Sequence, residues 1–505
     1  MAGAGDGVSL VTALLAWPLL VALALVPLRD ARVIRRVALI GAFVELAASV
    51  YVFVAFSAAP TAAFQFEERV RWIDAIGASI HVGIDGLSAP FLPLTALLTV
   101  IAVAQARTTV AHRQKAYLVS VLTFSTASTG VFTALDLALF FVFWELMLVP
   151  TFVLIKLWGT GPGRSHAAAK YVLAMLMGSV ALLAAFVLLS VNHRTETGSL
   201  SFDYQALLAV DVPRGLGTVV FFLMAFSFAL KAPLFPLHSW LPPALQEGPI
   251  GIGILLAGLK VGVYGFLRFI MPLTSDAFMR WRWLIAVVAV LAIVYGGLAA
   301  LAQPDLRRLI AFAGVSHVGL ALLGLSSANA DGIAGAVFLL ANMGLTAAGL
   351  LLIVGFIHER LGSTDLTALG GLATRAPALT AFALLFGFAE AALPGTSGFP
   401  GEFLALLGAF RAFGAPSLIA LVIVVLAAGY SLIWLQRAFY GPVDREPVRH
   451  IVDLGRREGS LALVVAAAIV VLGIFPSLVL DPARSSVDQL VERLAASTAG
   501  LTAGS

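Results

Sequence analysis

The sequence predicts an all-α integral membrane protein of about fourteen transmembrane helices, two of them broken inside the membrane. Of its 505 residues, 60% are hydrophobic and only 11% are charged, and the mean hydropathy is +1.01. Apolar stretches long enough to cross about 30 Å of hydrocarbon recur along the whole chain. Prolines interrupt two of these stretches beside charged residues. We therefore treat residues 1–505 as a single membrane domain.

Composition also excludes several classes of function. The chain has no cysteine, which excludes disulfides, thiol catalysis and iron–sulfur ligation by this chain. A net charge of +4 could indicate nucleic-acid binding in a soluble protein, but here the arginines cluster in short loops and indicate topology instead. No motif indicates a nucleotide site, and the eight histidines lack the spacing of metal ligands.

Each predicted helix is an apolar run bounded by loop residues. The first run lacks a basic n-region and a small-residue cleavage site, so it is predicted to be a retained helix and not a signal peptide. The runs are Val8–Leu28, Val33–Phe56, Leu87–Ala106, Ala116–Thr133, Leu135–Leu157, Tyr171–Val191, Gly217–Leu237, Ile250–Phe269, Leu284–Leu301, Leu309–Leu325, Ile333–Ile357, Ala378–Phe410, Ser417–Phe439 and Leu461–Val479.

Arginine-rich loops alternate with acidic loops along the chain. By the positive-inside rule this pattern predicts that both termini lie outside and that the arginine loops are cytoplasmic. Arg268, Arg280 and Arg282, in a predicted outside loop, run against the rule. The arginine loops carry Arg29, Arg32, Arg35, Arg36, Arg107, Arg113, Lys115, Arg307, Arg308, Arg437, Arg445, Arg449, Arg456 and Arg457. The acidic loops carry Glu67, Glu68, Asp74, Asp85, Asp203, Asp211 and Asp331.

The two predicted helix breaks are spaced like parts of a repeat. Pro233 and Pro236 interrupt the seventh run, and the segment 394–401 interrupts the twelfth; proline removes a backbone donor and clashes with the preceding turn. Lys231 precedes Glu402 by 171 residues, and Glu145 precedes His317 by 172. We therefore expect two five-helix units, 111–270 and 283–441, the second inverted relative to the first. Coincidence among fourteen helices is the alternative. Broken helices in corresponding positions indicate a transport site.

Ionisable residues inside the apolar runs are the functional candidates. Only five of the 31 basic residues are lysines, and two of these, Lys231 and Lys260, lie within predicted helices. Arginine keeps its proton in proteins, whereas a desolvated lysine can release it, so these positions indicate proton handling. Snorkelling is the alternative for Lys231, but Lys260 lies too far from either helix end. Glu145 would be costly as a lone buried carboxylate, and its natural partner is Lys231.

Four further candidates are titratable residues inside or beside the apolar runs. His317 lies near the middle of the tenth run, and we favour a relay over a packing role because an imidazole titrates near neutral pH. Glu402 follows the second break, where a carboxylate can exchange protons with water. His238, just past the first break, and Glu390, just before the second, are possible relays. Intramembrane acids of this kind, Glu45 included, can also merely neutralise neighbouring helices.

Seven segments of the chain resemble a known family. They are HVGIDGLSAP, FFVFWELMLVP, LKAPLFPLHSWLPPAL, LAGLKVGVYGFLRF, QPDLRRLIAFAGVSHVGL, LPGTSGFPGEFLALLGAF and LQRAFYG. Together they resemble the antiporter-like membrane subunits of proton-pumping NADH:quinone oxidoreductase (respiratory complex I), over Leu87 to Glu458. Two details favour one branch of the family: Glu402, where other branches generally have lysine, and the loop Asp453–Gly459.

The resemblance implies roles and partners. Glu145 and Lys231 would form the input ion pair, Lys260 the central site, His317 a bridge and Glu402 the terminal site. The chain would lie between L-type and N-type pump subunits in the lipid bilayer, as part of a hetero-oligomeric complex. FMN, iron–sulfur clusters and quinone would be bound by partner subunits, with no cofactor or metal on this chain. An arginine- and alanine-rich composition favours a bacterial plasma membrane.

The chain departs from the family pattern at two places. The family usually has Asn-His-Gly in the eleventh span, where this chain has Asn342-Met343-Gly344, and it usually has LPDAH where this chain has residues 241–245, LPPAL. A relay between Lys260 and Glu402 would then need water. Two alternatives remain: a subunit of a multi-chain cation/proton antiporter or membrane-bound hydrogenase, and a structural spacer whose buried charges only fix helix packing.

Overall fold

Helices form most of the structure and run back and forth between two faces. The computed structural model describes residues 10–110, 112–443 and 446–503. Val8 and Arg445, named above, lie outside the described residues. The first half contains α1 (Leu10–Leu25), α2 (Ala31–Ala58), β1 (Gln65–Ile73), β2 (Ala78–Ile84), α3 (Phe91–Thr109), α4 (Gln114–Thr133), α5 (Leu137–Leu146), α6 (Leu148–Trp158), α7 (Arg164–Thr197), α8 (Tyr204–Leu208), α9 (Arg214–Lys231) and α10 (Leu241–Glu247).

The second half continues the same alternation. It contains α11 (Ile250–Gly258), α12 (Val261–Gly265), a π-helical turn (Phe266–Ile270), α13 (Met271–Leu273), α14 (Ser275–Leu301), α15 (Leu306–Ser326), α16 (Ala330–Leu361), α17 (Leu372–Arg375), α18 (Pro377–Glu390), α19 (Gly398–Phe413), α20 (Val422–Phe439), α21 (Glu446–Arg449), α22 (Arg456–Ile474) and α23 (Ser477–Ala503). Short 3₁₀ turns cover Asp74–Ile76, Leu366–Ala368 and Ala415–Leu421.

The helices are long and apolar enough for a multi-pass membrane protein. In the described part, eleven helical stretches could cross a membrane by length and composition, and α1, most of α3, and α18 are shorter apolar helices. The predicted helical membrane fold is confirmed, and the count of fourteen spans stays a prediction. The most apolar windows of Ile250–Leu273, α15 and α16 are 94%, 94% and 100% buried, against 39% for α7 and α14. The first three segments therefore form the centre of the protein.

A β-hairpin adds to the helical fold predicted from the sequence. Strands β1 and β2 pair antiparallel, with Arg69 opposite His81, and the turn between them uses Gly77 in a left-handed conformation at φ 69°. Most residues of β1 from Arg69 onward are exposed, so the strand has no apolar run to mark it in the sequence. We call the end of the molecule that carries β1 and β2 the hairpin face and the opposite end the arginine face.

The last described helix, α23, packs along the hairpin face. Arg493 donates hydrogen bonds from Nε to the Pro272 carbonyl and from Nη2 to the Leu208 carbonyl, both at 2.9 Å. The hydroxyl of Ser486 accepts a hydrogen bond from the backbone N–H of Gly86 at 3.1 Å. A Cβ on Gly86 would lie 2.4 Å from the Pro482 carbonyl oxygen, so only glycine permits this approach. Helix α23 therefore holds the turn after β2 in place.

The helix breaks lie beside titratable residues. Helix α9 ends at Lys231 and α18 ends at Glu390, close to the two predicted break positions. The indole N–H of Trp240 donates to the Leu230 carbonyl at 2.8 Å, which satisfies an acceptor that the first break frees. One further interruption was not predicted: α11 and α12 meet at extended residue Leu259 and at Lys260. Helix α5, by contrast, passes into α6 through Met147, whose backbone N–H donates to the Phe143 carbonyl.

Candidate functional site

Lys231 lies where α9 meets α5. Its ammonium donates a hydrogen bond to the Trp144 carbonyl at 3.0 Å and lies 4.0 Å from the centroid of the Trp144 ring, close enough for a cation–π interaction. The next residue, Glu145, accepts a short hydrogen bond from the Ser179 hydroxyl. Among the described residues, no ion pair within 4.0 Å joins Lys231 to Glu145. In this conformation the expected ion pair between Lys231 and Glu145 is not formed, and each of the two side chains has a different hydrogen-bond partner. We call this arrangement open.

Lys260 lies in the centre of the protein, at the junction of α11 and α12. Its side chain is buried, with 6% of the residue exposed. A Cβ on Gly314 of α15 would lie 3.3 Å from the Lys260 Nζ atom, so the ammonium packs directly on the backbone of α15. The small residue gives the lysine access to the helix that carries His317.

His317 lies between two buried carboxylates. Its Nε2 atom is 3.0 Å from Glu402 Oε1, and its Nδ1 atom is 3.4 Å from Glu390 Oε1. Nδ1 is also 3.0 Å from the Ala313 carbonyl; because a carbonyl can only accept, Nδ1 carries a proton. The hydroxyl of Tyr430 donates to Glu390 at 3.5 Å. One imidazole thus links two acids that come from different halves of a broken helix.

A small cavity connects the lysine to this group. Its volume is about 20 Å³, and Lys260, His317, Glu390 and Met343 are among the residues that line it. A cavity of this size holds about one water molecule, provided that the molecule finds two or more polar partners, and three of these side chains supply them. The arrangement can therefore pass a proton between Lys260 and the two carboxylates.

The structure brings some predicted residues together and separates others. Lys260, His317, Glu390 and Glu402 form one cluster, which we call the central cluster. Glu145 and Lys231 lie in a second, less buried group on α5 and α9. The sequence indicated no role for Tyr430, Trp144 or Ser179. A tyrosine inside the apolar helix α20 was the only signal available for Tyr430.

Two further candidates lie apart from the central cluster. The His238 ring packs on Phe235, Tyr295 and Phe312, with ring centroids 5.0–5.9 Å apart, and its Nδ1 atom has no hydrogen-bond partner among the described residues.

Glu45 of α2 is 1% exposed and accepts a hydrogen bond from the Ser125 hydroxyl at 2.6 Å. Thr99 of α3 in turn donates to Ser125 at 2.9 Å. Glu45 therefore belongs to a hydroxyl-bonded group between α2, α3 and α4.

The hairpin face carries its own charged residues. Arg268 is not a loop residue: it lies in the π-helical turn, 3% exposed, and forms a bidentate ion pair with Asp85. This pairing explains why Arg268 breaks the positive-inside pattern, because its charge is neutralised inside the protein. Arg280 and Arg282 at the start of α14 donate to Thr218 and to the Ser327 carbonyl.

His81 fastens the hairpin to α8 through two carboxylates. Its Nδ1 is 2.6 Å from Asp203 and its Nε2 is 2.8 Å from Glu67. Burial by itself lowers the pKa of the His81 imidazole, but the hydrogen bonds and charges of Asp203 and Glu67 outweigh it, so that pKa lies above its ordinary value. Burial raises the pKa of Asp203, but the His81 hydrogen bond, a backbone N–H and the charges of His81 and Arg69 lower it below its ordinary value.

A metal centre is not apparent in the residues that the structure describes. Among them, no group of three or more histidine, aspartate or glutamate side chains has the arrangement of a metal site.

Comparison with known proteins identifies the family. The family described as NADH:quinone oxidoreductase/Mrp antiporter, TM, matches residues 134–429. The chain is 37% identical over 441 residues to the NADH-quinone oxidoreductase subunit M of Pseudomonas aeruginosa, covering 86% of each chain.

Solved structures show the same relationship. A chain of respiratory complex I from Thermus thermophilus with bound NADH is 33% identical, with a TM-score of 0.87 and coverage of 96% of this chain and 99% of that chain. The Mrp complex of Dietzia sp. DQ12-45-1b contains a chain with a TM-score of 0.84 at 24% identity, with the same coverage, which is a likeness of fold alone. The chain belongs to the family of NADH-quinone oxidoreductase subunit M, a multi-pass membrane component of a hetero-oligomeric complex.

Proposed function

We infer that this chain is the proton-translocating membrane subunit of an NADH:quinone oxidoreductase. It would couple NADH oxidation and quinone reduction in partner subunits to proton transport across the membrane. The observation that carries this inference is the central cluster of a lysine, a histidine and two glutamates, all buried among apolar helices. Lys260, His317 and Glu390 line a cavity for about one water molecule, and Glu402 contacts His317 from its other side. Buried ionisable groups of this kind are costly and mark ion pathways.

Each predicted residue can then be assigned one step of proton transfer. Glu145 and Lys231 form the input pair, and the open arrangement, with Lys231 on Trp144, is its proton-releasing state. Lys260 receives the proton, His317 passes it on, and Glu402 releases it on the hairpin side. His238 lies beside the first break and would connect the input group with the arginine face.

The assembly follows from the same proposal. The neighbours would be L-type and N-type pump subunits, and FMN, iron–sulfur clusters and quinone would be bound elsewhere, with no redox centre on this chain. The arginine face would be cytoplasmic, and the hairpin face and both termini would lie outside a bacterial plasma membrane. Residues 111–270 and 283–441 would be two inverted units, a proposal supported by breaks after Lys231 and Glu390.

Replacing the input pair tests the function. In membranes that contain the assembled complex, we expect Lys231→Ala and Glu145→Ala to abolish NADH-driven proton translocation, because each change removes one member of the input pair. Lys156→Ala, at an exposed lysine on α6, is the matched control and should pump normally. Intact pumping in a fully assembled Lys231→Ala complex would contradict the proposal. A normal rate in Lys260→Met would favour a purely structural role for the buried charges.

A cation/proton antiporter subunit is the second candidate. The description of the matching family favours it, because that description names NADH:quinone oxidoreductase and the Mrp antiporter together. Isolation of the chain from its native membrane separates the two: co-purification with NADH-oxidising subunits supports the first proposal, and co-purification with other transporter chains only supports the second.

A further inference from the structure

Met343 of α16 lies beside the central cluster, in the segment Asn342-Met343-Gly344. Met343 is 4% exposed and lines the cavity between Lys260 and His317. A thioether has no exchangeable proton and is only a weak hydrogen-bond acceptor. Helix α16 therefore contributes no proton-transfer group from this position.

Glu390 reaches the same cavity from the opposite helix. It is the last residue of α18, where the helix is broken, and it is 8% exposed. Its Oε1 atom lies 3.4 Å from His317 Nδ1 and accepts a hydrogen bond from Tyr430 at 3.5 Å. Lys260 lines the same cavity from the junction of α11 and α12. Glu390 therefore contributes a carboxylate to the cavity that Met343 lines from α16.

We propose that Glu390 is a proton-transfer residue that passes protons between Lys260 and His317 from the end of α18. The inference rests on the function proposed above and adds a residue to it. The observation behind it is one shared cavity in which Met343 supplies only apolar surface and Glu390 supplies the carboxylate beside His317.

The transfer conserves protons at each step. An N–H bond of the Lys260 ammonium breaks and an O–H bond forms on Glu390, through the water that the cavity can hold. The Nε2–H bond of His317 then breaks as an O–H bond forms on Glu402, while the O–H bond on Glu390 breaks and an N–H bond forms at Nδ1. The product is the Nδ1–H tautomer, from which the Ala313 carbonyl accepts a hydrogen bond in this structure.

The alternative role for Glu390 is a fixed counter-charge. A fixed charge would stabilise Lys260 and His317 without itself gaining or losing a proton. A neutral histidine placed at position 343 of α16 could then not replace Glu390, because it carries no negative charge. The two roles therefore differ in what a histidine at position 343 does when the Glu390 carboxylate is absent.

The test is a rescue series in the intact complex. Glu390→Gln keeps the shape of the side chain but cannot pass a proton in this way, and we expect NADH-driven proton translocation to slow by about a hundredfold, a typical effect of losing a positioned proton carrier. Met343→His added to Glu390→Gln should restore most of the lost rate, whereas Met343→His alone should change little. The rate ratio between H₂O and D₂O should rise in Glu390→Gln and return towards normal in the double variant. Glu196→Gln, at an exposed acid of α7, is the matched control.

Three results would overturn the inference. They are a normal rate in assembled Glu390→Gln, a slow Glu390→Gln that Met343→His does not rescue, and an unchanged isotope ratio in a slow Glu390→Gln. Lys231→Ala measured in parallel separates the two proposals. If Lys231→Ala stops pumping and Glu390→Gln does not, only the role of Glu390 fails; if neither has an effect, the proposed function itself fails.

Discussion

The ion pair between Asp85 and Arg268 should hold the hairpin face together. Arg268 Nη1 donates to Asp85 Oδ2 at 2.7 Å, and Nη2 donates to the other carboxylate oxygen. Both residues are 3% exposed. Asp85 also accepts hydrogen bonds from the backbone N–H groups of Leu87 and Ser88, each at 3.1 Å. The carboxylate thus both neutralises a buried cation and shapes the turn against which α23 packs.

Asp85→Ala would leave the guanidinium buried without a counter-charge. Removal of one partner of a buried ion pair costs about 3–5 kcal/mol. A cavity of about 340 Å³, lined by Asp85 and Arg268 among others, lets water reach the pair, so we expect the lower end, about 3 kcal/mol. This free energy corresponds to a roughly 150-fold increase in the local opening equilibrium of the turn.

Thiol labelling can measure that opening, because the chain has no cysteine of its own. Ser486→Cys places a single thiol at a site that is 3% exposed and next to Gly86. In the intact complex, Asp85→Ala should raise the labelling rate of this thiol by about two decades. Replacing both partners, Asp85→Leu with Arg268→Leu, should return most of the protection, since no buried charge is then left unpaired. Less than a threefold rise in Asp85→Ala would refute the reasoning, because the turn would then be held by other contacts.

Two further predictions concern the hairpin and the central lysine. Because the pKa of His81 is raised, its protonated imidazole stabilises the hairpin attachment; this contribution is fully present below the ordinary histidine pKa of 6.5 and is lost as pH rises through the raised pKa. The pKa of Asp203 is lowered, so the contribution of its carboxylate is present above 3.8 and is lost as pH falls through the lowered pKa. Backbone amides of residues 65–84 should therefore have their highest protection factors, measured against the intrinsic exchange rate at each pH, between these limits. His81→Ala should remove the fall in protection above pH 6.5; protection factors that do not change with pH in the unaltered protein would contradict this. Gly314→Ala places a Cβ 3.3 Å from Lys260 Nζ and should slow proton translocation by displacing the ammonium, while Gly215→Ala, in open space, should not; equal rates in both variants would show that the packing is not needed.

Local chemistry explains what the sequence could predict. Prolines 233 and 236 remove backbone donors, so the break near Lys231 follows from the chain itself. The high cost of a charge in hydrocarbon makes any ionisable residue in an apolar run a candidate, and Lys260, His317 and Glu402 were found in this way. The helical membrane fold follows from the length of the apolar runs.

Tertiary packing explains what the sequence could not predict. The sequence left Glu390 open between a possible relay and an acid that merely neutralises a neighbour, because its contact with His317 joins residues of two helices that are distant in sequence. The break beside Lys260 has no proline to mark it. Strand β1 carries four charged residues and is largely exposed, so no apolar run distinguishes it from a loop.

The interruptions beside Lys231, Lys260 and Glu390 have a mechanical consequence. A continuous helix resists bending because every tilt strains its ladder of backbone bonds, but at these three points the ladder is already open. Two rigid half-helices meeting there can swing against each other at little cost in enthalpy. A change of one elementary charge at the junction can therefore tilt a half-helix of about four turns, such as α18 or α19. The far end of that half-helix then moves at the edge of the subunit.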